Sequence, residues 1–189
     1  MSVRERIEER RAYRSLDPVE VSDETVHELA RCAGLAPSCF NKQPWRYVFA
    51  RGDALERLKE SLNKGNAWAT RASMIVAVVS RVDLDCRVKG RDYYLFDTGM
   101  ATAFLILRAT ELGLVAHPIA GYDEEKAKAV LSVPDDMTVI TLVIVGKHSD
   151  TINELLSEQQ AETEPVRPER MPMEAFAFMD AMPDPEQDA

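Results

Sequence analysis

"DYYLFDTGMATAFLILRATEL", residues 92–112, is the longest helical pattern in the chain and decides its fold. It contains no proline, and Gly113 follows it at the position where helices commonly end. Its apolar side chains occupy most sides of the helix rather than one stripe, which is typical of a helix buried in the middle of a domain. We therefore expect a single domain of 189 residues built around this helix.

Helix and strand patterns alternate on both sides of this segment. Strand patterns cover residues 46–51, 74–80, 115–121 and 137–145. Other helices are predicted to begin where a polar residue precedes an amphipathic run, at Ser2, Ser22, Asp53 and Asp123. Alternation of this kind favours a doubly wound parallel sheet with helices on both faces, although the strand order cannot be read from it.

The net charge of −9 comes from one end of the chain. Residues 149–189 hold eleven acidic and two basic residues, whereas residues 1–148 are neutral overall. An acidic tail repels phosphates and no long basic stripe offsets it, so we expect no nucleic-acid partner. The longest uncharged apolar run, residues 99–107, is far shorter than the ~20 residues that a membrane helix needs, so we expect no membrane partner either.

The three cysteines, Cys32, Cys39 and Cys86, form neither a CxxC pair nor a metal-site pattern. Their odd number and the lack of a signal-peptide pattern predict a reducing compartment, the cytoplasm. The three histidines are also far apart, so we expect no metal site. Cys39 beside Ser38 is a candidate nucleophile, although most single cysteines are structural.

Three polar clusters suit one large anionic ligand. Arg10, Arg11 and Arg14 offer guanidinium groups that can bind a phosphate bidentately. A second cluster offers hydroxyl and amide groups for the polar edge of a ring, at Ser38, Asn41 and Gln43. Residues 118–121 offer backbone N–H groups on a loop shaped by proline and glycine. Each cluster has a structural alternative: arginines that solvate a helix end, amides that cap a turn, and an ordinary connection.

Taken in order, these segments resemble the motifs of the nitroreductase family of FMN-dependent oxidoreductases. The resemblance covers residues 10–172 and rests on RRAYR, PSCFNKQPW, the central helix, PIAG and ERMP. Each motif is weak alone, and their joint order is specific. The resemblance implies an α+β fold with a mixed, largely antiparallel sheet flanked by helices around the long central helix, in an intertwined homodimer. We adopt that fold in place of the parallel sheet that alternation favours.

The resemblance also assigns roles to residues. Arg10, Arg14 and Arg170 would hold the FMN phosphate and ribityl region, with Arg11 near the pyrimidine end of the ring. Pro37, Ser38, Cys39 and Asn41 would reach FMN from the partner subunit, and Ala12 and Gln43 complete the cofactor-binding set. One face of the isoalloxazine would lie on Pro118, Ile119, Ala120 and Gly121, with a backbone N–H of the last two residues donating to flavin N5. No catalytic side chain is implied, because the flavin itself carries the hydride chemistry.

The chain departs from the family pattern at three of these positions. Ala12 replaces a serine and loses its hydroxyl, Cys39 replaces a second serine, and Ala120 stands where some members carry glutamate. We therefore expect a lower FMN affinity than is typical of the family. Because little sequence separates the central helix from Pro118, we also expect an open pocket and a broad range of acceptors.

The predicted function is hydride transfer from NAD(P)H to FMN, followed by reduction of a quinone, a nitroaromatic or a similar acceptor. Two alternatives stay open: a family member that cleaves reduced flavin or dehalogenates aromatic rings, and a flavin-binding dimer without catalysis. Residues 1–148 would form the FMN-binding core. Residues 149–189 would form an acidic C-terminal arm, including Arg170 and the apolar segment MPMEAFAFM, that packs on the partner subunit.

Overall fold

The computed structural model describes residues 2–183, and its main sheet has five strands. They are β1 (Leu16–Asp17), β2 (Arg46–Ala50), β3 (Met74–Ser80), β6 (Val115–Ile119) and β7 (Thr138–His148), while β4 (Arg87–Val88) and β5 (Arg91–Asp92) form a separate hairpin. The strand order is β2, β3, β7, and both β6 and β1 pair with the far side of β7. Every pairing described is antiparallel. The largely antiparallel sheet of the α+β fold is therefore confirmed, and the parallel sheet that alternation favours is wrong.

Six α-helices surround the sheets in the described part of the chain. They are α1 (Val3–Glu9), α2 (Asp23–Gly34), α3 (Gly52–Lys59), α4 (Tyr94–Glu111), α5 (Glu124–Leu131) and α6 (Glu158–Thr163). The predicted caps at Ser2, Ser22 and Asp123 are confirmed, because each side chain accepts a hydrogen bond from the first turn of its helix. The predicted cap at Asp53 is wrong, since Arg51 occupies the cap position and Asp53 lies within the first turn.

Strand β3 is buried along its whole length because it lies between two layers of helices. Alternate side chains, Ile75, Ala77 and Val79, pack in the core that includes residues of α3 and α5. The side chains between them, Met74, Val76 and Val78, pack in the core that includes residues of α2 and α4. A strand covered on both faces needs apolar residues at every position, which explains its continuous apolar sequence.

Helix α4 is buried on one side only within a single chain. Ala101, Leu105 and Ala109 are fully buried against the sheet and α2. Phe96 and Phe104 on the opposite side are 63% and 41% exposed. The prediction of a helix surrounded on most sides is therefore wrong for one protomer, because no element within residues 2–183 covers this face. An apolar helix face left in water is typical of a contact surface.

The C-terminal arm divides into two parts. Residues 149–167 contact their own chain: the N–H groups of Ser149 and Asn153 donate to the backbone oxygen and hydroxyl of Ser15, both at 3.0 Å. Every residue from 171 to 183 is exposed. Packing of the arm on a partner subunit stays a prediction, and its last residues, 184–189, lie outside the described residues.

Within residues 2–183 no helix has the length and apolar character needed to cross a bilayer.

Candidate functional site

Five arginines from the two ends of the chain surround one cavity of about 290 Å³. Arg10, Arg11 and Arg14 follow the C-terminus of α1, and Arg167 and Arg170 come from the arm. The remaining lining residues are Ala12, Thr163, Glu164 and Pro168. All the site residues that were predicted from the two ends of the chain line this cavity. They are Arg10, Arg11, Ala12, Arg14 and Arg170.

Long-range hydrogen bonds hold the arm against the arginine segment. One carboxylate oxygen of Glu164 accepts from the N–H groups of Arg14 at 2.7 Å and Ser15 at 2.6 Å. The Arg11 guanidinium donates to two carbonyl oxygens of the arm at 3.0 and 3.1 Å, and Arg167 donates back to a carbonyl of the arginine segment at 3.0 Å. Arg11, predicted near a ligand ring, therefore holds the arm in this chain.

The cavity has a large unbalanced positive charge. None of its five guanidinium groups forms an ion pair with a residue that the structure describes. The pKa of Arg10 is lowered from its usual value, first by burial and then by the positive charges of Arg167, Arg170 and Arg11. Like charges held together in this way are stabilised by a bound anion. Guanidinium forks match the oxygens of a phosphate, so the cavity suits a phosphate group.

His117 connects this cavity to the loop at residues 118–121. Its Nδ1 lies 3.0 Å from the carbonyl oxygen of Tyr13. Because a carbonyl only accepts, Nδ1 carries the proton and donates it. The imidazole is 8% exposed and packs against Trp68, with 4.7 Å between the ring centroids. The RRAYR and PIAG motifs therefore lie side by side in one chain.

Burial makes His117 a source of acid sensitivity. Burial lowers its pKa from 6.5 to about 4, and nearby Arg14 and Arg10 also lower it. An unfolded chain binds this proton near pH 6.5, whereas the folded protein binds it only near pH 4. As the pH falls, the unfolded state therefore takes up this proton before the folded state does. The free energy of unfolding decreases from about pH 6.5 downward as a result.

Because of His117, we expect the free energy of unfolding to fall by up to ~1.4 kcal/mol for each unit by which the pH is lowered between about 6.5 and about 4. Urea unfolding at several pH values, for the wild type and His117→Gln, measures the difference. His27→Gln on α2 is the matched control and is expected to keep the wild-type slope. Identical slopes in the wild type and His117→Gln would contradict this role.

The loop at residues 118–121 presents backbone donors at the surface. Pro118 and Ala120 are exposed, while Ile119 is 6% exposed and anchors the loop. The carbonyl of Gly121 accepts from the Asn66 side chain at 2.9 Å. The N–H groups of Ala120 and Gly121 donate to no protein group within residues 2–183. Two donors beside the arginine cavity are thus available to a ligand.

The turn at residues 37–43 is held partly by its own side chains. The Ser38 hydroxyl accepts from the Gln43 N–H at 2.9 Å, and the Gln43 amide donates to the Asn41 side chain at 3.1 Å. Phe40, Asn41 and Gln43 have φ values of 48°, 56° and 49°. Positive φ is uncommon outside glycine and is strained for an aromatic residue, so this turn is a candidate functional segment. Pro37, Asn41 and Gln43 are exposed, and the turn-capping role of the amides holds within one chain.

Cys39 in this turn forms a disulfide with Cys86. The two Cα atoms are 6.0 Å apart, as disulfide geometry requires. The Cys39 N–H donates to the buried Asp97 carboxylate at 2.6 Å. The Cys39–Cys86 disulfide was not predicted, and it corrects the view of Cys39 as a candidate free nucleophile. The 47-residue separation gives no spacing pattern that could have revealed it.

One chain does not bring all three predicted clusters together. The turn at residues 37–43 leads into β2, whereas residues 118–121 are the end of β6 and the two residues after it, and β3 and β7 lie between these strands. At ~4.8 Å per strand the two edges are about 14 Å apart. The arginine cavity has no lining residue from the turn. Within the described residues, the three clusters therefore do not line one cavity.

Residues at these sites that were not predicted from the sequence include Glu164, Arg167, Asn66 and Cys86. Arg167 lies three residues before Arg170 in the same segment, and this spacing could have revealed it. Asn66 lies between the helix predicted to begin at Asp53 and the strand predicted at residues 74–80, and no sequence pattern marks it as a site residue. A Cβ at Gly121 would lie 2.5 Å from the Asn66 Nδ2, so the asparagine and the glycine depend on each other.

Comparisons with known proteins agree with this geometry. The family model described as "Nitroreductase family" matches residues 7–72 and 60–147, which include the RRAYR, PSCFNKQPW, central-helix and PIAG segments. An uncharacterized 15.4 kDa protein of Mycolicibacterium smegmatis is 33% identical over 137 residues, covering 68% of this chain and 84% of that protein. A protein of Archaeoglobus fulgidus named "Putative NADH dehydrogenase/NAD(P)H nitroreductase" is 28% identical over 146 residues, covering 75% and 82% of the two chains.

Solved structures give the same result. A crystal structure described as "the oxidoreductase containing FMN" superimposes with a TM-score of 0.82 at 28% identity, covering 94% of this chain and 91% of the other. A nitroreductase family protein from Clostridium novyi NT gives a TM-score of 0.73 at 25% identity, with 79% and 87% covered. With the family match spanning most of the chain and the fold shared, this protein belongs to the nitroreductase family.

Proposed function

We propose that the protein is an FMN-dependent oxidoreductase that takes hydride from NAD(P)H and reduces a quinone, a nitroaromatic or a related acceptor in two half-reactions. The observation that carries this proposal is the arginine cavity without ion pairs, next to a loop with two free N–H donors. FMN needs both parts, because it joins an anionic phosphate to a ring with several acceptors. The names of the FMN-containing structure and of the Archaeoglobus fulgidus relative support the cofactor and the electron donor.

The residues present fit the phosphate end of FMN. Arg10, Arg14 and Arg170 would hold the phosphate, and Arg167 adds a fourth guanidinium at the same cavity. Their mutual repulsion is the reason for a preference for a dianion over a neutral ligand. Arg11 and Glu164 would act indirectly, because their hydrogen bonds hold the arm that carries Arg167 and Arg170.

The residues present also fit the ring. The bound flavin would supply the hydride chemistry, since it accepts hydride from one substrate and passes electrons to the next. The N–H groups of Ala120 and Gly121 would donate to the polar edge of the ring and favour its reduced, more negative form. Buried Ile119 and the Asn66 side chain keep this loop in place, so its donors need little reorganisation when the ligand binds.

We infer that the working unit is a homodimer. The exposed face of α4 and the exposed residues 171–183 are two apolar surfaces that one chain leaves uncovered. In a two-fold dimer each arm would cover the partner's body. The same arrangement would bring the turn at residues 37–43 to the partner's cavity, where Ser38, Asn41 and Gln43 supply neutral polar groups.

Anaerobic reduction of the FMN-loaded protein tests the catalytic part of this proposal. We expect the flavin absorbance to bleach on addition of NADH or NADPH and to return on addition of a quinone or a nitroaromatic. Bound flavin that neither nucleotide bleaches would instead indicate a non-catalytic flavin dimer. Loss of the flavin itself, when reduced FMN and oxygen are supplied, would indicate the flavin-cleaving alternative.

A further inference from the structure

A second cluster of chemically reactive side chains lies outside the arginine cavity. The Sγ atoms of Cys39 and Cys86 and a carboxylate oxygen of Asp85 all lie within 4.8 Å of one another. Cys39 belongs to the turn at residues 37–43, whereas Asp85 and Cys86 directly precede β4. The fold brings these residues together from segments that have no metal-site spacing in sequence.

Two carboxylates, those of Asp85 and Asp97, lie at or beside this cluster. The Oδ2 atom of Asp85 is buried and has no hydrogen-bond partner in the described part of the chain. The other carboxylate oxygen of Asp85, Oδ1, accepts from the N–H of Cys86 at 2.7 Å. Neither Asp85 nor Asp97 takes part in an ion pair among residues 2–183. A buried carboxylate oxygen with no donor is unfavourable, and a bound cation would satisfy it.

The ligand types select the kind of cation. Two thiolates and one carboxylate are typical ligands of zinc and other thiophilic divalent ions, whereas magnesium and calcium prefer oxygen alone. With metal–ligand distances of about 2.3 Å for sulfur and about 2.0 Å for oxygen, ligand atoms around one tetrahedral zinc lie roughly 3.3–3.8 Å apart. The three ligand atoms lie within 4.8 Å of one another, and the two sulfur atoms, which are bonded to each other here, would separate on reduction to reach these distances. A disulfide has no thiolate to donate, so the disulfide and the metal site exclude each other.

We propose that Cys39, Cys86 and Asp85 bind one zinc-class divalent cation when both thiols are reduced, and that the disulfide is the oxidised, metal-free state of the same site. Asp97 is a positioning residue, because its carboxylate holds the Cys39 N–H. In both states the cluster ties the turn at residues 37–43 to the segment directly before β4. The proposal does not depend on flavin binding.

Each change of state has a defined balance. Reduction of the disulfide by a phosphine breaks the S–S bond, adds two electrons and two protons to the sulfurs, and converts the phosphine and one water to a phosphine oxide. Oxidation by diamide removes two electrons and two protons from the thiols and converts diamide to its hydrazine. When a cation binds to the reduced site, it displaces the two thiol protons, since thiolates are the ligands.

Metal binding by the full-length protein tests this site without any flavin assay. We expect phosphine-reduced protein to take up one zinc per chain from a chromophoric chelator, and to show a cobalt–thiolate charge-transfer band when cobalt replaces zinc. Protein oxidised with diamide is expected to bind neither metal. These measurements use the wild type alone and need no variant that folds.

Variants then locate the ligands. Cys39→Ser and Cys86→Ser are expected to lose the thiolate band and to bind zinc at least ~100-fold more weakly, and Asp85→Asn more than ~10-fold more weakly. Cys32→Ser is the matched control and keeps full binding, because the Cys32 thiol lies on α2. Reduced wild type that binds no zinc, or Cys32→Ser that loses as much binding as Cys39→Ser, would overturn the proposal.

Discussion

Arg10→Ala is expected to weaken FMN binding by at least ~100-fold while leaving the ligand-free protein as stable as the wild type or more stable. Removing a charged donor to a phosphate costs about 3 kcal/mol, which corresponds to that loss of affinity. The effect on stability has the opposite sign, because Arg10 is partly buried beside three other arginines that lower its pKa. Removal of a residue that serves the fold alone would destabilise the protein. Weaker FMN binding without a loss of stability therefore identifies Arg10 as a binding residue.

Two measurements on one set of proteins check this prediction. Titration of FMN fluorescence gives the affinity, and thermal unfolding without FMN gives the stability. Arg57→Ala is the matched control, because Arg57 is an exposed arginine on α3. We expect it to keep the wild-type affinity. Wild-type FMN affinity in Arg10→Ala, or a clear fall in its unfolding temperature, would contradict the assignment of the cavity.

Truncation after Arg170 is expected to dissociate the homodimer and release most of the bound FMN. The deletion removes apolar side chains that are exposed in one chain, among them Met173 (65%), Phe176 (60%) and Met179 (88%). Each would contribute ~1.5–3 kcal/mol if buried on a partner, so losing several weakens dimerisation by more than ~1,000-fold. All five cavity arginines remain in the truncated chain, so FMN release would follow from loss of the partner.

Sedimentation velocity measures the dimer, and the ratio of flavin to protein absorbance measures occupancy. A shorter truncation, after Pro183, removes three acidic residues and keeps the apolar part of the arm. We expect this control to stay dimeric with full flavin. If truncation after Arg170 also left an intact, flavin-loaded dimer, the arm would have no such role.

Local signals in the sequence predict much of this fold. Strand β3 was predicted with the observed bounds because burial on both faces makes every residue apolar. Helix caps at Ser2 and Ser22 were predicted because the hydrogen bond that defines a cap spans three residues. The arginine segment was predicted as a candidate site for a similar reason, since its three arginines lie within five residues.

Contacts between distant segments could not be predicted in this way. Glu164 and Arg14 meet across 150 residues, and nothing in either segment indicates the other. Cys39 and Cys86 are related in the same manner, so composition favoured free thiols until the fold placed them together. The exposed face of α4 was mispredicted because an apolar pattern marks burial without saying whether the same chain or a second one covers it.

The visible spectrum of the purified protein, with identification of the ligand released on denaturation, shows whether the protein carries FMN. We expect a yellow protein with flavin absorbance that releases about one FMN per chain, because each protomer contributes one arginine cavity. A colourless protein that takes up no added FMN would contradict this expectation.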